Sequence, residues 1–283
     1  SDEIFKQLSQ NYLKFRNTCK FCLDNLVGFD ADHLVQPDEM LPLDKWAVTR
    51  LNTLIEKVFA AYDNYEFHVV SHMVNDFCVV DLSSFYFDII KDRLYCGEEN
   101  SLERRSAQSA VWMILDAMTR LFAPILAFTC DEVWLAMPHR AGDDARNVLL
   151  NQMVQPYAAY ALSEEEMGKW ARLAALRTAV NGALEQARAD KTIGKSLEAE
   201  VDLTVTAEDA FLTDMDAADL ADLLIVSQVR VEVGAEQAVA VRPANGAKCL
   251  RCWKVLPTVG SDAGHPDLCP RCAAVVKNLP VIE

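Results

Sequence analysis

Apolar residues recur every three or four positions through the first half of the chain, which is the period of an amphipathic helix. The pattern predicts helices over 1–27, 44–65, 66–94 and 101–122, with Pro124 either kinking the last of these or opening a fifth in PILAFTCDEVWLAM. Asp44 and Ser101 stand where an N-cap side chain is expected. These helix lengths predict an antiparallel helical bundle over 1–160.

The predicted third helix is interrupted in polarity by DLSS, residues 81–84. Polar side chains in a buried helix need hydrogen-bond partners. We therefore expect the polar side chains of this segment to have hydrogen-bond partners if the helix is buried.

The pattern changes after residue 160. SEEEMGKWARLAALRTAVNGALEQAR predicts one long helix, and from Ile193 onward SLEAEVDLTV alternates apolar and polar residues as a half-buried strand does. LLIVSQVRVEV and QAVAVRP are further strand candidates, with a short helix expected over 209–222. Residues 161–245 are thus predicted to form a small α+β junction unit, so that the fold class is mainly α.

Composition and charge narrow the class of protein. The chain has 283 residues, enough for about two domains, and a net charge of −15, which argues against a broadly basic nucleic-acid binder. Residues 246–283 differ, because they carry five Lys and Arg against three Asp and Glu. With no charged leader and no long apolar run, the sequence predicts a soluble cytoplasmic protein without a membrane partner.

Two Cys-x-x-Cys pairs lie sixteen residues apart in that basic segment. Cys249, Cys252, Cys269 and Cys272 match the spacing of a tetrahedral site for one structural Zn²⁺. A rubredoxin-like iron centre would use the same ligands, whereas catalytic zinc would need a ligand position open to water. His265, between the pairs, is interpreted as a loop residue. The sequence therefore predicts a four-cysteine zinc-binding module over 246–283.

An arginine and a tryptophan stand at the second cysteine of this module. Arg251 and Trp253 suit unpaired nucleotides, with the ring stacking on a base and the guanidinium meeting phosphate or a base edge. The alternative is that Trp253 covers a small core and that the flanking basic residues are ordinary surface; these are Lys248, Lys254, Arg271 and Lys277. The pattern alone leaves both interpretations open.

Other motifs carry less information. Cys19 and Cys22 form a third Cys-x-x-Cys, but they lie on the apolar face of a predicted helix, which favours packing over redox chemistry. KTIGKS, residues 191–196, lacks the glycines of a phosphate loop and is expected to lead into a strand. The histidines match no nucleophile pattern, so we predict no catalytic residue.

Several stretches in one order resemble the bacterial isoleucyl-tRNA synthetases, a class I aminoacyl-tRNA synthetase family. They are NYLKFRNTCKFCLDNLVGFD, AYDNYEFHVV, FCVVDLSSFYFDIIKDRLYC, ERRSAQ, LFAPILAFTCDEVW, IGKSLEAEV and KCLRCWK with CPRC. The resemblance implies a C-terminal fragment with the anticodon-binding bundle, the junction unit and the zinc tail. The family's HIGH and KMSKS motifs are not found, so the fragment is expected to be inactive alone, with ATP needed only in the full-length enzyme.

The same resemblance implies the residues that meet RNA. It assigns anticodon contacts to Arg16 and Asn17 on the first helix and to Arg251 and Trp253 at the metal module, with Lys91 and Arg93 as lesser candidates. The implied partners are the anticodon stem-loop of isoleucine tRNA and an N-terminal catalytic core, in a monomer. The competing hypothesis is a helical scaffold with a four-cysteine metal site for protein interaction or electron transfer, without RNA.

Overall fold

The computed structural model describes residues 2–279, without the side chains of residues 2 and 4. The chain divides into two compact units between Ser163 and Glu164, close to the predicted boundary at residue 160. The further boundary proposed at residue 245 stays a prediction, and the last four residues of the predicted metal module lie outside the described residues.

The first unit is helical, as predicted. Its helices are α1 (Asp2–Asn25), α2 (Pro42–Asp63), α3 (Phe67–Asp76), a π-helical segment (Phe77–Tyr86), α4 (Phe87–Cys96), α5 (Leu102–Phe122) and α6 (Ala127–Ala136), with 3₁₀ turns at Val148–Leu150 and Ala158–Tyr160. Pro124 lies in the turn between α5 and α6 and kinks neither helix.

Helix α5 forms the centre of this unit. It contacts α1, α2, α3, α4 and α6, and every residue from Ser106 to Thr119 is buried. A helix that is covered on all sides belongs to the interior of a bundle. The predicted cap at Ser101 is confirmed, since its side chain accepts a hydrogen bond from the backbone N–H of Arg104.

The predicted cap at Asp44 is wrong. Helix α2 begins two residues earlier, with Leu41 as N-cap and Pro42 in the first turn. Asp44 is fully buried and accepts hydrogen bonds from the hydroxyl groups of Tyr86, at 2.7 Å, and Ser106, at 2.5 Å. Arg93 donates from both terminal nitrogens to the same carboxylate, at 3.0 and 3.1 Å. Asp44 therefore joins α2, α4 and α5 instead of capping one of them.

The polar segment DLSS lies inside the π-helical stretch that connects α3 with α4. The hydroxyl groups of Ser83 and Ser84 donate to the carbonyl groups five residues earlier, and Asp81 accepts from Arg50 Nε at 2.8 Å. The expected partners are thus present. The widened turn matches the i to i+5 spacing of these hydroxyl bonds, and a π segment inside a helix is an uncommon feature.

The second unit is a small α+β fold. Helix α7 (Glu164–Ala189) is followed by β1 (Ala199–Val205), α8 (Ala217–Leu224), β2 (Gln228–Val233) and β3 (Ala238–Pro243), with 3₁₀ turns at Ser196–Glu198 and Ala207–Asp214. Strand β1 is central, parallel to β2 and antiparallel to β3. Part of LLIVSQVRVEV was wrongly predicted as strand, because Leu223 and Leu224 end α8. A short apolar run does not distinguish a buried helix end from a strand.

The tail of the second unit has little regular structure. It consists of a hairpin of β4 (Ala247–Lys248) and β5 (Val255–Leu256), followed by α9 (Pro270–Lys277). Among residues 2–279, no helix combines the length and the apolar character needed to cross a bilayer.

Candidate metal centre and nucleic-acid surface

The hairpin and the last helix bring the four tail cysteines together. Cys249 and Cys252 lie in the turn between β4 and β5, while Cys269 immediately precedes α9 and Cys272 lies in its first turn. The backbone N–H of Trp253 donates to the Cys249 carbonyl at 2.9 Å, which closes the first knuckle. Pro270 in the first turn of α9 fixes the second, since its ring favours helix initiation.

The geometry of the cluster suits one tetrahedral metal ion. All four thiols are buried, and their sulfur atoms lie within 4.8 Å of one another. A Zn–S bond of about 2.3 Å places two sulfurs of a regular tetrahedron about 3.8 Å apart. Cys252 Sγ and Cys269 Sγ are separated by 3.9 Å, which fits that value. His265 does not belong to the cluster.

Hydrogen bonds to sulfur distinguish Cys249 from an ordinary buried cysteine. Burial opposes ionisation of Cys249, but backbone N–H groups, beginning with that of Cys252, lower its pKa to about 6. The N–H of Cys269 lies 3.3 Å from this sulfur. Burial raises the pKa of Cys252 to about 11, and neighbouring thiolates add to the rise. Burial is the first cause that opposes ionisation of each of the four thiols, and a bound divalent cation would favour the thiolates against it.

Trp253 has an uncommon backbone conformation for its residue type. Its φ angle is 65°, in the left-handed region that glycine favours, and its side chain is 57% exposed. A non-glycine residue in this region costs roughly 1–3 kcal/mol, and such strain concentrates at functional sites. Trp253 therefore does not cover a small core, which was one of the two interpretations of its side chain. No residue pattern signals this φ angle.

The basic residues around the cluster have different roles. Lys254 is buried and forms an ion pair with Asp222, so its charge is used inside the fold. Lys277 pairs with Asp262, and Lys248 lies 3.8 Å from Glu198. The half-buried Arg251 has a terminal nitrogen 3.9 Å from Cys272 Sγ, so part of its guanidinium faces the cluster of four thiols. Arg271 is exposed.

Sequence reasoning missed a cation that lies beside Trp253. The Nζ atom of Lys195 is 5.7 Å from the centroid of the Trp253 ring, within the range of a cation–π contact. These residues are far apart in sequence, and only the fold of the second unit brings them together. The Gly-Lys-Ser letters of KTIGKS drew attention to Lys195, but for a phosphate loop that the structure does not contain.

In the helical unit, the predicted RNA contacts differ in exposure. Arg16 and Asn17 are both exposed on α1, next to the buried Phe15. Lys91 is exposed and pairs with Asp88 at 3.0 Å. Arg93 has 16% of its side chain exposed and is held by the buried Asp44, which favours a structural role for this residue.

The cysteine pair of α1 packs in the interior, as predicted. Cys19 and Cys22 are each 1% exposed, and burial raises the pKa of both thiols well above the usual value. Neither is suited to act as a reactive thiolate.

Fold and site define a helical unit followed by a small α+β unit with a four-cysteine tail. A family model described as the anticodon-binding domain of tRNA ligase matches residues 44–203, more than half of the chain, and the chain belongs to this family. A second model, the zinc finger found in FPG and IleRS, matches residues 246–275 and includes all four clustered cysteines. This match and the sulfur geometry indicate one structural zinc ion.

Proteins similar to this chain are named more specifically, as isoleucine–tRNA ligases. The chain is 45% identical to the isoleucine–tRNA ligase of Desulforamulus reducens, 43% identical to that of Geobacter sulfurreducens and 41% identical to that of Edwardsiella ictaluri. Each alignment covers 98% of the chain but only 30–31% of the relative. The chain thus spans less than a third of the length of these ligases.

Proposed function

We propose that the chain is the tRNA-recognition part of an isoleucine–tRNA ligase and binds the anticodon stem-loop of isoleucine tRNA. Aminoacylation, with its need for ATP, would take place on an N-terminal catalytic core outside this chain. We further propose that Cys249, Cys252, Cys269 and Cys272 are the zinc ligands, and that the protein is a cytoplasmic monomer. Membership of the anticodon-binding family and the names of the relatives support this proposal.

The observation that carries the proposal is the exposed, left-handed Trp253 next to the cluster of four thiols. Single-stranded RNA is recognised by stacking of splayed bases on aromatic side chains and by polar contacts to base edges. Trp253 supplies the stacking surface, Arg251 a guanidinium two residues earlier in the sequence, and Arg16 with Asn17 an exposed polar pair on α1. Lys91 is a lesser candidate, and Arg93 is a weaker one because of its ion pair with Asp44.

The scaffold or electron-transfer hypothesis is not favoured. It accounts for the four thiols but not for the match to the anticodon-binding domain over residues 44–203. An iron centre would give a coloured protein, so metal analysis of the purified chain tests the electron-transfer hypothesis, and a tRNA-binding assay tests the zinc-containing scaffold.

Replacing Trp253 with alanine is expected to weaken binding to isoleucine tRNA. Stacking on an aromatic side chain contributes about 1–3 kcal/mol per base, which corresponds to roughly a 5- to 150-fold higher Kd. Filter binding with tRNA that carries the natural or an altered anticodon measures the loss, which should be smaller for the altered one.

Trp253→Gly is the matched control for this substitution. Glycine removes the ring but adopts a positive φ without strain, so zinc content and thermal stability should equal or exceed those of the wild type. Reduced affinity in both variants, with normal zinc in the glycine variant, assigns the ring to RNA. Wild-type affinity in both variants would contradict a stacking role.

Arg16→Ala is expected to weaken tRNA binding by about 1–3 kcal/mol, because it removes an exposed guanidinium without disturbing the core. Lys20→Ala provides the control, since Lys20 lies on the same helix and pairs with Asp24 at 2.7 Å. If these two variants bind the tRNA with equal affinity in the same filter-binding assay, Arg16 is not part of the binding surface.

A further inference from the structure

The loop of residues 191–196 is fixed in place between α7 and β1. Lys191 has a φ angle of 59°, the N–H of Thr192 donates to the Ala187 carbonyl at 2.9 Å, and Ile193 is buried. The chain therefore leaves α7 by a defined turn. The side chains on the outer part of this loop are presented by a rigid backbone.

Glu198 holds this loop through hydrogen bonds to the loop backbone. Its carboxylate accepts hydrogen bonds from the backbone N–H groups of Gly194, at 3.0 Å, and Lys195, at 3.2 Å. Consecutive N–H groups that point to one place form an anion-binding concavity. Here the chain's own carboxylate fills that concavity, and the two N–H groups lower the pKa of Glu198. A phosphate would thus have to bind through the loop's side chains.

Three basic side chains lie on or beside this loop. Lys191 and Arg188 line an open cavity of about 420 Å³ next to Gly194 and Glu198. Lys195 does not line that cavity and is exposed, with its Nζ atom 5.7 Å from the Trp253 ring centroid. Its ammonium lies over an indole, whereas Lys254 and Lys277 are held in salt bridges with acidic residues.

We propose that Lys195 contacts the phosphate of the nucleotide that stacks on Trp253. A nucleotide combines a flat π system with an anionic phosphate, and the pair Trp253 and Lys195 offers a matching aromatic face and ammonium 5.7 Å apart. Glu198 positions the loop that carries this ammonium. The inference rests on the proposed function, because it specifies how the tail meets RNA.

Replacing Lys195 with methionine tests this contact. Methionine keeps an unbranched side chain beside the ring but removes the charge. Each phosphate contact to a single strand contributes about 0.7 to the slope of log K against log[salt]. The Lys195→Met variant should therefore lower that slope by about 0.7 and raise Kd roughly five-fold at 0.1 M salt. Lys195→Arg should restore both quantities.

The outcomes separate this inference from the proposed function. Lys169→Met is the control, since Lys169 is on α7 and pairs with Glu165 at 2.9 Å; its slope should stay at the wild-type value. If Trp253→Ala loses affinity while Lys195→Met keeps the wild-type slope, Lys195 makes no phosphate contact and only the inference fails. A lower affinity with an unchanged slope overturns it as well, because Lys195 then only positions the ring. If the wild-type chain does not bind the tRNA, both ideas fail.

Discussion

Removing zinc, or replacing Cys272 with serine, is expected to unfold the tail. The chain should then no longer bind isoleucine tRNA more tightly than other RNA. Apart from the cysteines, the buried apolar residues within the described part of this tail are Ala273 and Val275. So small a core does not offset the entropy of ordering the segment. Structural zinc contributes an apparent 10–16 kcal/mol, roughly, in small zinc-finger peptides at neutral pH, so here it would decide whether the tail folds.

Three measurements follow this change. Metal analysis should give one zinc per chain for the wild type and much less for Cys272→Ser. Limited proteolysis should cut the tail after chelation. Filter binding should show the loss of affinity for isoleucine tRNA. Zinc loss should become easier as the pH falls, because protons compete with the metal for thiolate ligands.

Cys96→Ala is the matched control. Cys96 is buried at the end of α4, outside the four-thiol cluster, so this variant should keep its zinc. A tail that resists protease equally well with and without metal would disprove the structural role. Iron in place of zinc would support the electron-transfer hypothesis instead.

Local patterns predicted the parts of the fold that depend on local chemistry. The helical period located the elements of the first unit, Ser101 was correctly identified as a cap, and the spacing of Cys249 to Cys272 indicated a four-thiol cluster. In each case the residue types are explained by one helix or by one set of metal ligands. Contacts with residues distant in sequence do not alter the predicted element or cluster.

Predictions failed where a distant partner decides the role of a residue. Asp44 has the residue type and position of an N-cap, yet Tyr86, Arg93 and Ser106 hold its carboxylate in the interior. Arg93 was a lesser candidate for RNA contact because of the family resemblance, and its guanidinium donates to that buried carboxylate, while its contact with RNA stays a prediction. Likewise, the contact of Lys195 with Trp253 arises from the fold of the second unit and leaves no trace in either local sequence.

Asp44→Ala is expected to destabilise the helical unit by about 3–5 kcal/mol, the range for removing one partner of a buried ion pair. The substitution would leave the guanidinium of Arg93, 16% exposed, without its carboxylate, and the buried hydroxyl of Tyr86 without its acceptor. Urea unfolding followed by hydrogen exchange in peptides from α2 and α5 measures this loss within the unit concerned. Asp88→Ala breaks the exposed pair with Lys91 and should cost only about 0–1 kcal/mol.

The double variant Asp44→Leu with Arg93→Met shows what the pair contributes beyond stability. Replacing both charges by apolar side chains removes the unpaired buried ion, so stability should recover towards the wild-type value. If the double variant folds and binds tRNA normally, Arg93 has a structural role in the bundle. If it folds but binds tRNA more weakly, Arg93 contacts the RNA. If Asp44→Ala alone lies within about 1 kcal/mol of the wild type, the buried carboxylate does not hold α2, α4 and α5 together.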